Sequence, residues 1–415
     1  MNTNLFIARN LWRKDAPKKR GLSASSTIIA GFSVGVSVLV MVLAISISDG
    51  FKFEIKTKAT GFSGEIILNS PGIEQTSNRY PITKKISYLK EIESIKEVKC
   101  LQCYAYRSGM LKSGEEIQGV LLKGVDSKYD WRFFSSVLSK GRLPDYKDTL
   151  SSKEIILSER LAGMMGFDVG EDLQIYFIDK SIRVGKYRLV GLYDAQLEDV
   201  DKTLIIADIR EVQRINGWNA EDVSGIEILL KEGNDIDIVG DKIERVVYEH
   251  SGENDPSIQV TRINEIFPHL FDWLKLLDFN VLVVLVLMIS VAGFNMISSL
   301  LIILFERISM IGILKSLGMR NSAIHRIFLL RASYIVFWGM LFGNVLAVIL
   351  ALLQKWYEII SLDPTNYFVK SVPVYLDIPK IILLNTAAFI IIMVVLMIPS
   401  LFISRISPDK TIRVK

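Results

Sequence analysis

The chain has few of the residues that usually carry chemistry. It contains two cysteines and three histidines in 415 residues. Two cysteines are too few for a disulfide framework. Cys100 and Cys103 fall in the strand-like stretch "VKCLQCYAY", which puts them on opposite faces about 10 Å apart, at about 3.3 Å rise per residue. They read as ordinary strand thiols. His250, His269 and His325 lie in unrelated contexts without metal-ligand spacing, so surface or packing roles are expected of them. No GxxxxGK[ST] phosphate loop occurs, and "SSKEIILSER" has serines and acids but no GxSxG nucleophile elbow. No catalytic, cofactor-binding or metal residue is therefore expected, and the chain does not bind and hydrolyse ATP by the P-loop route. An excess of one charge is also missing. Against 49 basic residues stand 45 acidic ones, a net charge of +4, with no concentrated basic face to hold nucleic acid.

Apolar residues, by contrast, are abundant. They make up 50% of the chain, and a mean hydropathy of +0.33 is too high for an ordinary soluble protein of this length. Crossing a bilayer takes about 20 apolar residues in a helix. Four spans meet that test, at residues 25–47, 277–304, 327–353 and 381–403. The second has Asn280 and Asn295 as polar interruptions, which a neighbouring helix can satisfy. Gly31, Gly35, Gly293 and Ser298 permit close helix packing. The first span has too long an apolar core for a cleavable signal and no small-residue cleavage site after it, so it reads as a retained anchor.

Basic residues set the orientation. Arg9, Arg13, Lys14, Lys18, Lys19 and Arg20 precede span one, Arg307, Lys315, Arg320 and Arg326 follow span two, and Arg405, Lys410, Arg413 and Lys415 end the chain. All three groups belong in the cytoplasm, which predicts a multi-pass membrane protein with both termini inside. The leader, residues 1–24, includes "LFIARNLW" at 5–12, apolar on one side and basic on the other, which suits an interfacial helix. The tail is 404–415. Residues 48–276 and the loop 354–380 face outward. Apart from Arg331 near the inner end of span three, which is expected to snorkel, no ionisable residue is set mid-membrane to make an ion path.

The outer block, 48–276, reads as mixed α/β with stalk-like ends. "GEIILN", "EIQGVLLKGV", "DLQIYFI", "YRLVGLYD", "TLIIADI" and "GIEILL" have the composition of strands. "SERLAGMMG" predicts a two-turn helix with a serine cap and a closing glycine. "INEIFPHLFDWLKLLDFN" places Ile266, Leu270, Trp273, Leu274 and Leu277 at helical intervals, predicting a stiff stalk that runs unbroken into span two.

Residues 305–326 form a short cytoplasmic loop containing "FERISMIGILKSLGMR". In it Ile308, Ile311 and Leu314, with Leu317 one turn on, make an apolar stripe. Glu306 and Lys315 lie off the stripe, and Gly318 is placed to end the helix in a left-handed cap. Asn321 or Ser322 is expected to cap the next helix. The stripe is expected to fill a groove in a partner.

The ordered set of segments resembles the MacB-type ABC transporter permeases, and within them the lipoprotein-releasing LolC/LolE group of FtsX-like permeases. The set comprises the glycine- and valine-rich first span with Gly50, Phe51, Lys58 and Gly61 after it, "KGRLPD", "EIILSERLAGMMGFDVGEDLQIYF", "YRLVGLYD", "FERISMIGILKSLGMRNSAIHRIFLL", "VPVYLDIP" and "IPSLFISRISPDKTIRVK". The resemblance implies an α-helical membrane protein with four transmembrane helices and a MacB-like periplasmic core domain between helices one and two. It also implies that the membrane is the cell inner membrane and that the chain is a mechanotransmission subunit without a cofactor of its own. An ATPase dimer (LolD-like) would bind ATP and couple through Glu306, Arg307, Ile311, Gly312, Leu314, Lys315, Leu317 and Gly318. Further implied partners are a second permease copy or paralogue, a lipoprotein substrate, a periplasmic carrier and membrane lipids. Two features depart from the group. The connector between "DLQIYFI" and "YRLVGLYD" is too short for a carrier-capturing arm, and the usually charged middle of the cytoplasmic signature is here "ISM". An FtsX-like regulator of cell-wall hydrolases and a MacB-like efflux permease are the other functions this resemblance allows.

Overall fold

The computed structural model describes residues 22–71, 81–146, 151–179, 182–250 and 258–400. The leader helix expected at 5–12 and the basic tail lie outside these residues. The chain divides into a helical unit (Met1–Phe53, Leu274–Ser361 and Ser371–Lys415) and an α/β unit (Glu54–Trp273 with Leu362–Lys370).

Among the described residues five helices carry the helical unit: α1 (Leu22–Ser63), α2 (Pro268–Glu306), the short α3 (Ile308–Ser316), α4 (Asn321–Tyr357) and α5 (Ile378–Ser400). Four of them, all but α3, are long and apolar enough to cross a membrane. At 42 residues α1 is about 63 Å long, twice the hydrocarbon thickness of a bilayer, and the 39-residue α2 is nearly as long. The predicted stalk before span two is not continuous. A turn of helix at Ile263–Ile266 stops at Phe267 (φ −117°, ψ 59°), and α2 begins at Pro268. Proline disfavours helical backbone in the residue before it and is itself well suited to a first helical position. From Pro268 onward the helix is unbroken, with Leu270 and Leu274 buried.

Within the helical unit, α1 meets α4 backbone to backbone. Gly31 and Gly35 form one small-xxx-small pair and Gly339 and Gly343 the other. A Cβ on Gly343 would lie 2.3 Å from the Gly35 carbonyl oxygen, and one on Gly339 would lie 2.6 Å from that of Gly31. In lipid no hydrophobic force brings helices together, so such close approach and interhelical hydrogen bonds do the work. Asn344 and Asn385 exchange reciprocal amide hydrogen bonds of 2.8 and 2.9 Å between α4 and α5, and Asn295 of α2 donates to Ser33 of α1 at 2.5 Å. Ionic contacts join three helices: Asp49 of α1 with Lys380 of α5 at 2.9 Å, and Lys52 of α1 with Asp278 of α2. Beside them the segment before α5 crosses α1. The Tyr375 N–H donates to the Ser46 carbonyl and its ring stacks on Phe53, while a Cβ on Gly50 would lie 2.3 Å from the Pro373 carbonyl oxygen. That approach gives the glycine of the Gly50–Phe51 pair its physical reason.

The α/β unit is built on one large sheet. Its strands are β1 (Ile66–Asn69), β3 (Val98–Ser113), β4 (Glu116–Val125), β5 (Leu138–Gly141), β6 (Glu154–Ser158), β7 (Asp172–Ile178), β8 (Ile182–Tyr193), β9 (Leu204–Asp208), β11 (Gly225–Leu230) and β12 (Gln259–Arg262). The order is β12-β1-β11-β3-β4-β9-β6-β8-β5, and β7 pairs with both β3 and β8. The pairings β3-β4-β9-β6-β8-β7 therefore return to β3 and close a ring. Leu111, Leu122, Ile155, Leu157, Leu173, Ile175, Phe177 and Ile205 are buried in the core of the unit. The two short strands β2 (Ile82–Thr83) and β10 (Asp222–Val223) pair separately. The helix Glu159–Met165 has the predicted ends: the Ser158 hydroxyl accepts from the Leu161 N–H, and Gly166 is left-handed at φ 72°.

Gly343→Leu is expected to force α1 and α4 apart and to cost about 1–3 kcal/mol, as overpacking does. The check is a fall in the thermal unfolding midpoint of the purified protein in mild detergent. Gly293→Ala is the control, since its new methyl would meet Val395 at an ordinary 3.5 Å.

Candidate functional site

The predicted coupling residues run from Glu306 at the end of α2 and Arg307 at the cap, through Ile311, Gly312, Leu314 and Lys315 of α3, to Leu317 and Gly318 in the turn after it. The helix packs on its own chain: Ile311 is fully buried in a cluster with Ile303, Leu304, Ile324 and Phe328, and Leu314 and Met310 are partly buried against it. Gly312 is buried as well. Of the expected stripe, Ile311 and Leu314 are thus turned inward, because they find their apolar partners on α2 and α4, while Ile308 is half-buried. The apolar side chains left outward are Phe305, Ile313 and Leu317, at 66%, 56% and 79% exposure. They lie at the end of α2, on α3 and just after it, with Glu306, Ser309 and Ser316 also exposed. Gly318 takes the predicted left-handed conformation (φ 83°), and the Met319 N–H bonds back to the Leu314 carbonyl. Arg320 occupies the cap position of α4 without a side-chain cap bond, and Asn321 is already helical.

Within the α/β unit the last turn of α1 ends on a buried charge. Lys123 of β4 is fully buried and donates to the Phe62 carbonyl in the last turn of α1 and, at 2.5 Å, to Glu227 of β11. Glu227, also fully buried, accepts from Gln102, its cross-strand neighbour on β3, at 2.9 Å. The rings of Tyr104 and Tyr129 each lie 5.5 Å from the ammonium. A cation at a helix C-terminus meets both the orphan carbonyls and the negative end of the helix dipole. Burial pulls the Lys123 ammonium below its usual range, and the neighbouring Glu227 opposes that pull. Gly64 (φ 67°) turns the chain from α1 into β1. Gly61 leaves room for the Phe133 ring, which a Cβ would approach to 2.2 Å.

None of the motifs includes these residues, yet the sequence carries a signal for them: Lys123 in "VLLKGV" and Glu227 in "GIEILL" are lone opposite charges in otherwise apolar strands. Cys100 and Cys103 are free thiols, and burial raises the Cys103 thiol to about 11. Among the described residues no group of three or more His, Cys, Asp or Glu side chains could hold a metal ion.

Four membrane-length helices joined to a mixed α/β unit are the parts of a permease with a large extramembrane domain. The chain belongs to the family defined by the MacB-like periplasmic core domain, which matches residues 25–246, and its residues 282–408 match the FtsX-like permease C-terminal domain. The lipoprotein-releasing system transmembrane protein LolC of Xylella fastidiosa is 22% identical over 428 aligned positions, covering 99% of this chain and 98% of the relative. The LolE protein of Haemophilus influenzae is 22% identical over 369 positions, covering 85% and 83%. The crystal structure of the periplasmic region of MacB from Actinobacillus actinomycetemcomitans is 15% identical with a TM-score of 0.35, covering 51% of this chain and 95% of that one.

Lys123→Met is expected to leave Glu227 buried without its cation and to destabilise the α/β unit by about 3–5 kcal/mol. Lys123→Met combined with Glu227→Leu should recover most of that loss in chemical denaturation; equal losses in the single and double variants would contradict the pairing. A second expectation concerns pH. Burial, and then the charge of Asp194, raise the Asp201 carboxyl from 3.8 to about 6. The folded chain therefore holds a proton between about pH 4 and 6 that the unfolded chain has lost, and stability falls as pH rises through that window. Asp201→Asn should stabilise the unit by about 2 kcal/mol at pH 7 and by nearly nothing at pH 4, read from denaturation at the two pH values.

Proposed function

We propose that the chain is the permease, or mechanotransmission, subunit of an ABC transporter. In this reading a separate ATPase dimer hydrolyses ATP, and the movement releases lipoproteins from the outer leaflet of the inner membrane towards a periplasmic carrier. The observation that carries the proposal is similarity to LolC along 99% of this chain, a length that takes in both units and the short helix α3. The length of α1 and the seating of its end on Lys123 support transmission of movement rather than passage of cargo through the spans. The cytoplasmic face is read as Phe305, Ile313 and Leu317 together with Glu306, Lys315 and Gly318, while Ile311, Gly312 and Leu314 support that face from beneath. The distribution of basic residues supports a reading with both termini and α3 in the cytoplasm and the α/β unit in the periplasm. Strands β7 and β8 are joined by only three residues, 179–181, so capture of the carrier is assigned to another chain, a paralogous permease or a second partner.

Depletion of the protein, followed by fractionation of acylated proteins, tests this reading. Accumulation of lipoproteins in the inner membrane is expected. Unchanged sorting together with defective wall hydrolysis would favour an FtsX-like regulator instead. In mild detergent an ATPase subunit should co-purify, and Leu317→Asp should lower its recovery at least tenfold, a loss of about 1.4 kcal/mol or more. Leu314→Asp should lower the stability of the chain itself, because that side chain packs inward.

A further inference from the structure

The loop joining α4 to α5 does not belong wholly with the helices it joins. Leu362–Lys370 is part of the α/β unit, whereas Ser361 and Ser371, which pair across its neck, are part of the helical unit. A 2.8 Å bond from the Leu362 N–H to the Lys370 carbonyl closes the loop just inside that neck. Its grip on the α/β unit is mostly polar. Lys58 of α1, 5% exposed, donates at 2.8 Å to the Phe368 carbonyl and at 2.8 Å to Gln196 Oε1. Lys370 pairs with Asp194 at 2.6 Å. The Phe368 ring stands edge-on to Trp273 at the root of α2, with centroids 6.2 Å apart, and Val369 is buried. Phe368 thus touches both long helices, through its carbonyl on one and its ring on the other.

Two features make this grip releasable. Asp363, Asn366 and Tyr367 are exposed, so little apolar surface holds the loop, and segments of that kind open at low cost. Lys58 also has a second partner: Glu54, one turn earlier on α1, has an oxygen 3.7 Å away. A buried ammonium that lost the Phe368 carbonyl would keep a counter-charge. Phe368 and Gln196 meanwhile both hold positive φ, 60° and 62°, a region that side chains adopt when surrounding contacts impose it.

We propose that Leu362–Lys370 is a releasable strap, fastened by Lys58, Gln196 and Asp194, that ties the connection between α4 and α5 to the roots of α1 and α2. Its release is a step in the movement of those helices. The second statement rests on the reading of the chain as a transmitter; the first does not.

Hydrogen exchange of the full chain in lipid nanodiscs tests the fastening. Lys58→Met should speed exchange over 362–370 at least tenfold while β4 and β9 keep their protection, and Gln196→Ala should give a smaller increase. Unchanged exchange in Lys58→Met would overturn the strap. Should Lys58→Met fail to fold, Asp194→Lys is expected to loosen the segment and Asp194→Lys with Lys370→Asp to restore it; failure to restore overturns the strap equally. For the release step, Asp194→Cys with Lys370→Cys, in a chain whose native cysteines are serine, is joined by a short bifunctional thiol reagent. The joined protein, with its ATPase, should release acylated protein at least tenfold more slowly than the unjoined protein, and equal rates would overturn the release step. If the unjoined protein releases none, the transporter reading fails, and the exchange result still decides the strap.

Discussion

The last turn of α1 ends on a lysine that has no access to water. Lys123 takes the Phe62 carbonyl and Glu227 together, so one ammonium closes a helix end and ties two strands of the central sheet. Burying such a pair is costly unless every remaining lone pair and proton is satisfied. Gln102 and the two tyrosine rings supply that satisfaction. The arrangement therefore tolerates little displacement, since moving α1 by a fraction of its pitch would strand a charge in the core. The end of the helix is thereby fixed to the sheet by a joint without slack.

The helical unit solves a different problem with different chemistry. Apolar side chains on α2 and α5 face surroundings as apolar as themselves, so burial selects no particular packing there. Specificity comes from places where only one arrangement fits. The facing glycines of α1 and α4 admit backbone contact at one register, and the Asn344–Asn385 pair fixes α5 against α4. Charged residues on α1, α2 and α5 add ion pairs where the segment containing Pro373 and Tyr375 crosses.

Much of this was legible in the residues because it depends on local pattern. Strand composition located "EIQGVLLKGV", "DLQIYFI" and "GIEILL" to the residue, and Ser158, Gly166 and Gly318 marked helix ends through capping preferences that act within a few residues. What stayed hidden depends on partners far apart in sequence. The stripe on α3 has the same periodicity whether it meets another protein or its own chain, and only the position of Ile303, Ile324 and Phe328 decides that it turns inward. Gly31 and Gly35 announced close packing, but their counterparts on α4 were not foreseen. The strap over Lys58 left no pattern at all, for its contacts are single polar bonds between remote segments.

The ring β3-β4-β9-β6-β8-β7 also bears on how the α/β unit answers a load. An open sheet pulled at one strand can peel, since each row of hydrogen bonds fails before the next is stressed. A hoop has no end at which peeling starts. Lys123 sits on β4, a member of the hoop, so a load applied at the last turn of α1 would be shared by neighbours on both sides. A closed hoop of this kind resists tearing at any single strand.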